Sequence, residues 1–283
     1  MNNIINCKDI AQNILLQLSN EVRSIRIIRG LVPTLAILMI GENSASLVYV
    51  KNKIDTAYKV GIKTILINLP ELISTDKLLQ EIEILNSSPG VSGIIVQLPL
   101  PPHIDRKLVL MSINPKKDVD GFHPLNVGYL NTNFGNGFVP GTALGIMEII
   151  NHLKIDLIGA DAVIIGRSNL VGKPTSSLLL NKDCSVTICH SKTKNLAEIT
   201  RRADLIISAM GKPKFLDAKF FTSKNIVIDV GINRDPVSKK VCGDVDFEKV
   251  QHIVKFITPV PGGVGPMTVG CLLRNTLKAF LEN

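Results

Sequence analysis

Short apolar runs bounded by turn residues recur along the chain at Thr34 to Ile40, Thr64 to Asn68 and Gly93 to Gln97, with stretches of helical composition between them. The alternation begins again at Ala162 to Ile165, Ser185 to Cys189, Leu205 to Ser208 and Ile226 to Val230. Short apolar runs of this kind read as strands, and Ala162 to Ile165 in particular as a buried parallel one. Their alternation with helices predicts two parallel sheets, each covered by helices on both sides. An α/β protein of two α/β domains is therefore expected, as its length of 283 residues also favours. The break is expected near Asn131 to Gly141, where Asn131-Thr132-Asn133-Phe134-Gly135-Asn136-Gly137 is polar and glycine-rich. A final helix is predicted from Pro266 to Leu281. It carries Val269, Leu272, Leu273, Leu277 and Phe280 at helical spacing, with a proline suited to its first turn.

The second series contains the most informative turn. The run Ala162-Val163-Ile164-Ile165 stops at Gly166-Arg167-Ser168-Asn169-Leu170-Val171-Gly172-Lys173-Pro174, after which Thr175 to Leu180 has helical composition. Such a turn lets backbone N–H groups face a pyrophosphate at the positive end of a helix, with glycine where a Cβ would block the approach. Folds of this kind that select NAD place Asp or Glu about 20 residues beyond the glycines, on the ribose 2′-hydroxyl. Here the next strand ends in His190-Ser191-Lys192-Thr193-Lys194, without a carboxylate. Arg167, Ser191 and the two lysines instead offer charge-assisted hydrogen bonds to a 2′-phosphate. NADP is the expected cofactor. The spacing is not GxGxxG, and an ordinary strand-to-helix turn followed by a solvated basic loop would read the same way.

Composition removes several classes of function. Hydrophobic residues make up 45% and charged residues 20% of the chain, which argues for a folded protein. No apolar run approaches the roughly 18 to 20 residues of a membrane span. The start, Met1 to Asp9, lacks the basic-then-apolar pattern of a signal peptide, so a cytoplasmic location is expected. Cys7, Cys184, Cys189, Cys242 and Cys271 form no CxxC pair, which speaks against a disulfide framework or a structural zinc. The histidines are scattered singly without ligand spacing, and no metal is expected. The net charge of +8 is spread along a chain without tryptophan, a poor match to nucleic-acid binding. It suits the attraction of anionic cofactors and substrates.

Candidate chemistry lies in the first half. A helix is predicted between Gly41-Glu42-Asn43-Ser44, with the serine available as its cap, and Gly61. Lys51, Asp55 and Lys59 form a charged outer face, whereas Lys53 projects roughly opposite, among Tyr49, Val50, Thr56 and Ala57. A lysine on the inward side can lose its charge by desolvation and act as a base; the alternative is a snorkelling side chain. Gln97 ends a strand, where open α/β sheets bind ligands, although an amide there also serves as a plain cap. Lys117-Asp118-Val119-Asp120-Gly121 reads as an Asp-Gly turn. Pro259-Val260-Pro261-Gly262-Gly263-Val264-Gly265-Pro266 leaves backbone uncovered, as a ligand or a tight turn would need.

Taken together, Tyr49-Val50-Lys51-Asn52-Lys53, Val96-Gln97-Leu98-Pro99-Leu100-Pro101, Lys117 to Gly121, Gly166-Arg167-Ser168, His190 to Thr193 and Pro261-Gly262-Gly263-Val264-Gly265-Pro266-Met267-Thr268 stand in one order. In this the chain closely resembles, nearly end to end, the bifunctional methylenetetrahydrofolate dehydrogenase/methenyltetrahydrofolate cyclohydrolase family of one-carbon metabolism. The resemblance implies Lys53 as the central catalytic residue, Tyr49 packed on the folate, Gln97 orienting the lysine and Asp120 holding the pterin's amino edge. It implies substrate contacts from Pro261, Gly262 and Gly263, and NADP contacts from Gly166, Arg167, Ser168, Ser191 and Ile232. It further implies a folate-binding domain over residues 1–138 completed by the final helix at 266–283, and a Rossmann-like NADP-binding domain over 139–265. Folate would lie in the cleft between them, and homodimers would form through the nucleotide domain. One segment departs from the family's usual Pro-Cys-Thr-Pro: this chain has Pro140-Gly141-Thr142-Ala143, which bears on the loop's stiffness and on the balance of the two activities. The competing expectations are another two-domain NADP enzyme, such as a shikimate dehydrogenase, and a non-catalytic folate- or dinucleotide-binding protein.

Overall fold

The computed structural model describes residues 3–282, with the side chains of residues 44 and 45 also outside the description. By its internal contacts the chain separates into two compact units. One comprises Asn13–Gly141 with Val269–Asn283, the other Met1–Gln12 with Thr142–Thr268. They are called here the lysine unit and the glycine-turn unit. Among the described residues no helix is long and apolar enough to cross a membrane.

The chain opens with α1 (Cys7–Arg29) and continues through β1 (Thr34–Ile40), α2 (Ser44–Val60), β2 (Lys63–Leu69), α3 (Thr75–Ser87), β3 (Gly93–Val96), α4 (Arg106–Ser112) and α5 (Pro124–Thr132). The three strands form a parallel sheet in the order β2-β1-β3. Alternate residues of β1 feed two cores. Leu35, Ile37 and Met39 pack with Leu18 and Val22 of α1 and with Val50, Ala57 and Val60 of α2, whereas Ala36, Leu38 and Ile40 pack with Leu78, Ile82 and Leu85 of α3. That period of two is why the whole strand reads as apolar: neither face meets water.

The other unit contains α6 (Gly141–His152, its first residue at the boundary), β4 (Asp161–Ile165), α7 (Gly172–Leu180), β5 (Ser185–Cys189), α8 (Leu196–Arg202), β6 (Leu205–Ser208) and β7 (Ile226–Asp229). Two-residue strands β8 (Asn233–Arg234) and β9 (Val241–Cys242), α9 (Phe247–Val250) and β10 (Phe256–Ile257) follow, before α10 (Gly265–Glu282). Its main sheet is parallel, in the order β10-β7-β6-β4-β5. Beginning at β4, the chain adds β5 on one side and then β6 on the other, which makes the β4/β6 junction a topological switch point, the usual ligand position in open sheets.

All seven strands anticipated from the apolar runs are present, with ends within a residue or two. The short β10 was not anticipated, nor was its link to the chain's start. The N–H of Ile5 donates to Ile257 O at 2.9 Å, and that of Ile257 to Asn3 O at 3.0 Å. Residues 3–12 therefore cluster with the glycine-turn unit rather than with the stretch to residue 138. Two-residue pairing across some 250 positions leaves no periodicity to read. The serine expected to cap α2 lies outside the described side chains; the neighbouring Asn43 Oδ1 accepts from Ser46 N–H at 3.1 Å.

Candidate active site

In the lysine unit, α2 turns Val50 and Ala57 into the core, and Lys53, three and four residues from them, shares that face. Lys51, Asp55 and Lys59 are exposed, as the charge pattern anticipates. The ammonium nitrogen Nζ of Lys53 lies 2.9 Å from Gln97 Oε1. Gln97 follows β3 and is anchored at both ends: its N–H donates to Leu38 O at 2.9 Å, and its Nε2 to Leu98 O at 2.7 Å. With its amide nitrogen so engaged, its oxygen faces the lysine. The Leu98–Pro99 peptide is cis. Tyr49, one turn before Lys53, leaves 47% of its surface exposed, so its ring is available to an incoming ligand.

Asp120 completes the cluster. Its loop is built by three neighbours that turn-forming composition alone did not single out. Lys117 Nζ donates to the carbonyls of Leu85, Asn86 and Ser88 at 3.0, 2.8 and 2.6 Å, closing the end of α3. Buried Asp118 accepts from His123 N–H and Asn126 Nδ2, both at 2.8 Å. Asn275 of α10, a buried amide amid an apolar helix face, donates to Val119 O at 2.8 Å and Val139 O at 2.9 Å. Gly121 takes φ +70, and a Cβ there would stand 2.6 Å from Phe138 O. The loop is thus fixed through Lys117, Asp118 and the Val119 carbonyl. Asp120 is the member these bonds leave available for a ligand.

The electrostatics follow from burial. Desolvation holds the Lys53 amine below its ordinary value, with the negative charge of Asp120 opposing the shift. Desolvation pushes the Asp120 carboxyl up to about 6; Lys53 pulls it down and Asp118 adds to the rise. Burial dominates both groups, so each is displaced toward its uncharged form. An amine displaced toward its uncharged form, oriented by an amide and with a carboxyl nearby, is equipped for acid–base work.

In the glycine-turn unit, Gly166 takes φ +138, and a Cβ on it would run into Ala209 O beyond β6; a Cβ on Gly172 would strike Gly166 O. Both glycines are therefore required by the close packing of the turn that leads into α7. Ser168 Oγ accepts from the N–H groups of Val171 at 3.1 Å and Gly172 at 3.4 Å, leaving its own proton to donate to a ligand. Because Ile165 pairs with Cys189, and Gly166 N–H donates to Cys189 O at 2.9 Å, the turns after β4 and β5 lie side by side. The β5 turn is closed by His190 N–H to Thr193 Oγ1 at 2.8 Å. Arg167, Ser191, Lys192 and Lys194 are all exposed at that rim. Ile232, after β7, is 56% exposed. The structure therefore brings Lys53, Gln97 and Asp120 together in one unit, and Gly166, Arg167, Ser168 and Ser191 together in the other. Pro261, Gly262 and Gly263 belong to the glycine-turn unit.

Residues 5–120 match the family described as tetrahydrofolate dehydrogenase/cyclohydrolase, catalytic domain, and residues 140–283 the one described as tetrahydrofolate dehydrogenase/cyclohydrolase, NAD(P)-binding domain. The chain belongs to the tetrahydrofolate dehydrogenase/cyclohydrolase family. Among the relatives of this family it is 55% identical, over 99% of both chains, to the bifunctional protein FolD of Rickettsia bellii. The crystal structure of the bifunctional FolD methylenetetrahydrofolate dehydrogenase/cyclohydrolase from Campylobacter jejuni superposes with a TM-score of 0.95 at 47% identity, over 98% of each chain. The Trypanosoma brucei dehydrogenase-cyclohydrolase, solved with NADP cofactor and inhibitor, gives 0.93 at 36% identity, over 99% of this chain and 97% of that one. In this member Gly141 opens α6, Ala143 is fully buried, and Thr142 Oγ1 lies 3.2 Å from Thr268 Oγ1.

Proposed function

We propose that the protein oxidises 5,10-methylenetetrahydrofolate to the 5,10-methenyl compound with NADP and hydrolyses that product to 10-formyltetrahydrofolate. Family membership supports the paired activities, and the Lys53–Gln97 contact beside Asp120 is the observation that carries the chemistry. Folate binds the lysine unit, with Tyr49 against the ring system and Asp120 on the pterin's amino edge; Pro261, Gly262 and Gly263 contribute backbone contacts. NADP binds the glycine-turn unit, contacting Gly166, Arg167, Ser168, Ser191 and Ile232. The turn around Gly166 fits a pyrophosphate, and the basic, carboxylate-free rim fits a 2′-phosphate. When bound, NADP supplies a hydride acceptor. The residues' task in that step is alignment, since no proton leaves the substrate. Hydrolysis does require a base. Neutral Lys53, held by Gln97, takes a proton from the water that attacks the methenyl carbon and returns one to the leaving nitrogen; the cationic substrate itself favours the uncharged amine. A homodimer and a cytoplasmic location belong to the same proposal.

A paired absorbance assay tests it: NADP reduction with methylenetetrahydrofolate, then decay of the methenyl chromophore. Both signals are expected. NADP reduction with shikimate instead, or ligand binding without either reaction, would contradict the reading. In the same assay Arg167→Ala is expected to raise KM for NADP about tenfold or more, as loss of a charge-assisted hydrogen bond implies, while leaving KM for NAD nearly unchanged. An equal loss for both nucleotides would remove the 2′-phosphate assignment.

A further inference from the structure

Two carboxylates of the glycine-turn unit are buried together, and no step above uses them. Asp229, the last residue of β7, is 3% exposed and Asp244, after β9, fully buried. Asp244 accepts four hydrogen bonds: at Oδ2 from Ser208 Oγ (3.0 Å) and Met210 N–H (2.8 Å), and at Oδ1 from Lys212 N–H and Asn233 Nδ2 (both 2.9 Å). Asp229 supports it from beneath. Its Oδ1 accepts from the N–H groups of Gly231 at 2.9 Å and of Asp244 itself at 3.1 Å, and its Oδ2 from Val245 N–H at 2.9 Å. A Cβ on Gly231 would collide with the Asp244 carboxyl and one on Gly243 with that of Asp229, so both glycines are spaces kept for these groups.

Burying two acids side by side is costly, and burial with the nearby charge of Asp244 pushes Asp229 up to about 7. What the pair secures is a junction of three segments: the turn after β6, the turn after β7 and the stretch after β9. The first two leave the carboxyl ends of adjacent parallel strands, the rim at which open sheets bind nucleotides. Ala209, whose carbonyl adjoins Gly166, lies between Ser208 and Met210. Ile232 lies between Gly231 and Asn233. Each is therefore flanked by two donors to the pair, while the side chain of Ile232 remains open.

We propose that Asp244, supported by Asp229, is a positioning residue for NADP: it holds the turns after β6 and β7 so that Ile232 and the Ala209–Gly166 junction present a preformed surface to the dinucleotide. This rests on the reading of the glycine-turn unit as the NADP site. Asp244→Asn tests it, because the new NH2 must face the backbone N–H of either Met210 or Lys212, donor against donor. Its Kd for NADPH, read by fluorescence titration, is expected to rise about tenfold or more, with a matching rise in KM for NADP and little change in kcat. Hydrolysis of the methenyl compound without nucleotide, which draws on the other unit, is expected to stay within about twofold of the parent. Ser208→Ala, which deletes one donor of the four, is expected to show a smaller rise. If both variants bind NADPH as the parent does, the proposal is overturned. Should Asp244→Asn lose hydrolysis as well, Ser208→Ala decides: weakened binding with intact hydrolysis supports the role, and parental binding refutes it. A parent protein that binds no NADPH would overturn both the nucleotide reading and the inference from it, an outcome distinct from equal binding by all three.

Discussion

Lys53→Met is expected to slow hydrolysis of methenyltetrahydrofolate by about 10² to 10⁴-fold, the usual contribution of a positioned general base. Methionine keeps most of the side chain's bulk on the buried face of α2, so the loss would report the missing nitrogen rather than a cavity. Lys53→Arg is the sharper companion. It retains a cation able to donate to Gln97 Oε1, now 2.9 Å from the lysine, but a guanidinium does not release its proton. If the lysine served only as a positive charge, arginine would restore much of the rate; as a base, it would not. Neither change touches the glycine-turn unit, so the NADPH dissociation constant should remain at the parental value. Hydride transfer moves no proton and should fall less than hydrolysis. Stopped absorbance assays of the two steps separate these cases, and normal hydrolysis by Lys53→Met would refute the assignment.

The inward lysine was legible because α2 carries two unlike faces: Lys51, Asp55 and Lys59 mark the solvent side by charge, leaving Lys53 with Val50 and Ala57. Its partner was legible only as a polar residue ending a strand. Nothing local joins positions 53 and 97; the parallel pairing of β1 with β3 does so, placing Gln97 N–H on Leu38 O. Strands were readable wherever both faces are buried, as in β1 and β4, and unreadable where two residues suffice, as in β10. The supports of Asp120 were hidden for a related reason. Lys117 reaches carbonyls some 30 residues earlier, and Asn275 reaches Val119 O from the far end of the chain. Composition marks such residues as polar but does not say what they hold. The same is true of Asp229, inside the run Ile226 to Val230, and of Asp244, whose partners come together only where β6, β7 and β9 converge.

A second large effect is expected from Gly166→Ala. At φ +138 the residue occupies backbone space that side chains avoid, and its Cβ would meet the carbonyl of Ala209, which cannot rotate away as a flexible side chain would. Strain of about 3 kcal/mol, together with displacement of the turn, corresponds to a loss of about a hundredfold or more in NADPH affinity. Cyclohydrolase activity measured without nucleotide should persist, since Lys53, Gln97 and Asp120 lie in the other unit. Parental affinity in a folded Gly166→Ala protein would remove the turn from the binding site.

The proposed hydrolysis rests on an amine that burial makes easier to deprotonate than a surface lysine. The most direct test is an NMR titration of the protein with 13Cε-labelled lysine, the Lys53 signal being assigned by its absence in Lys53→Met. A midpoint well below the ordinary 10.5 is expected, together with a hydrolysis rate that rises with pH through the same midpoint. A Lys53 signal that titrates at 10.5, alongside the surface lysines, would contradict a neutral base at this site.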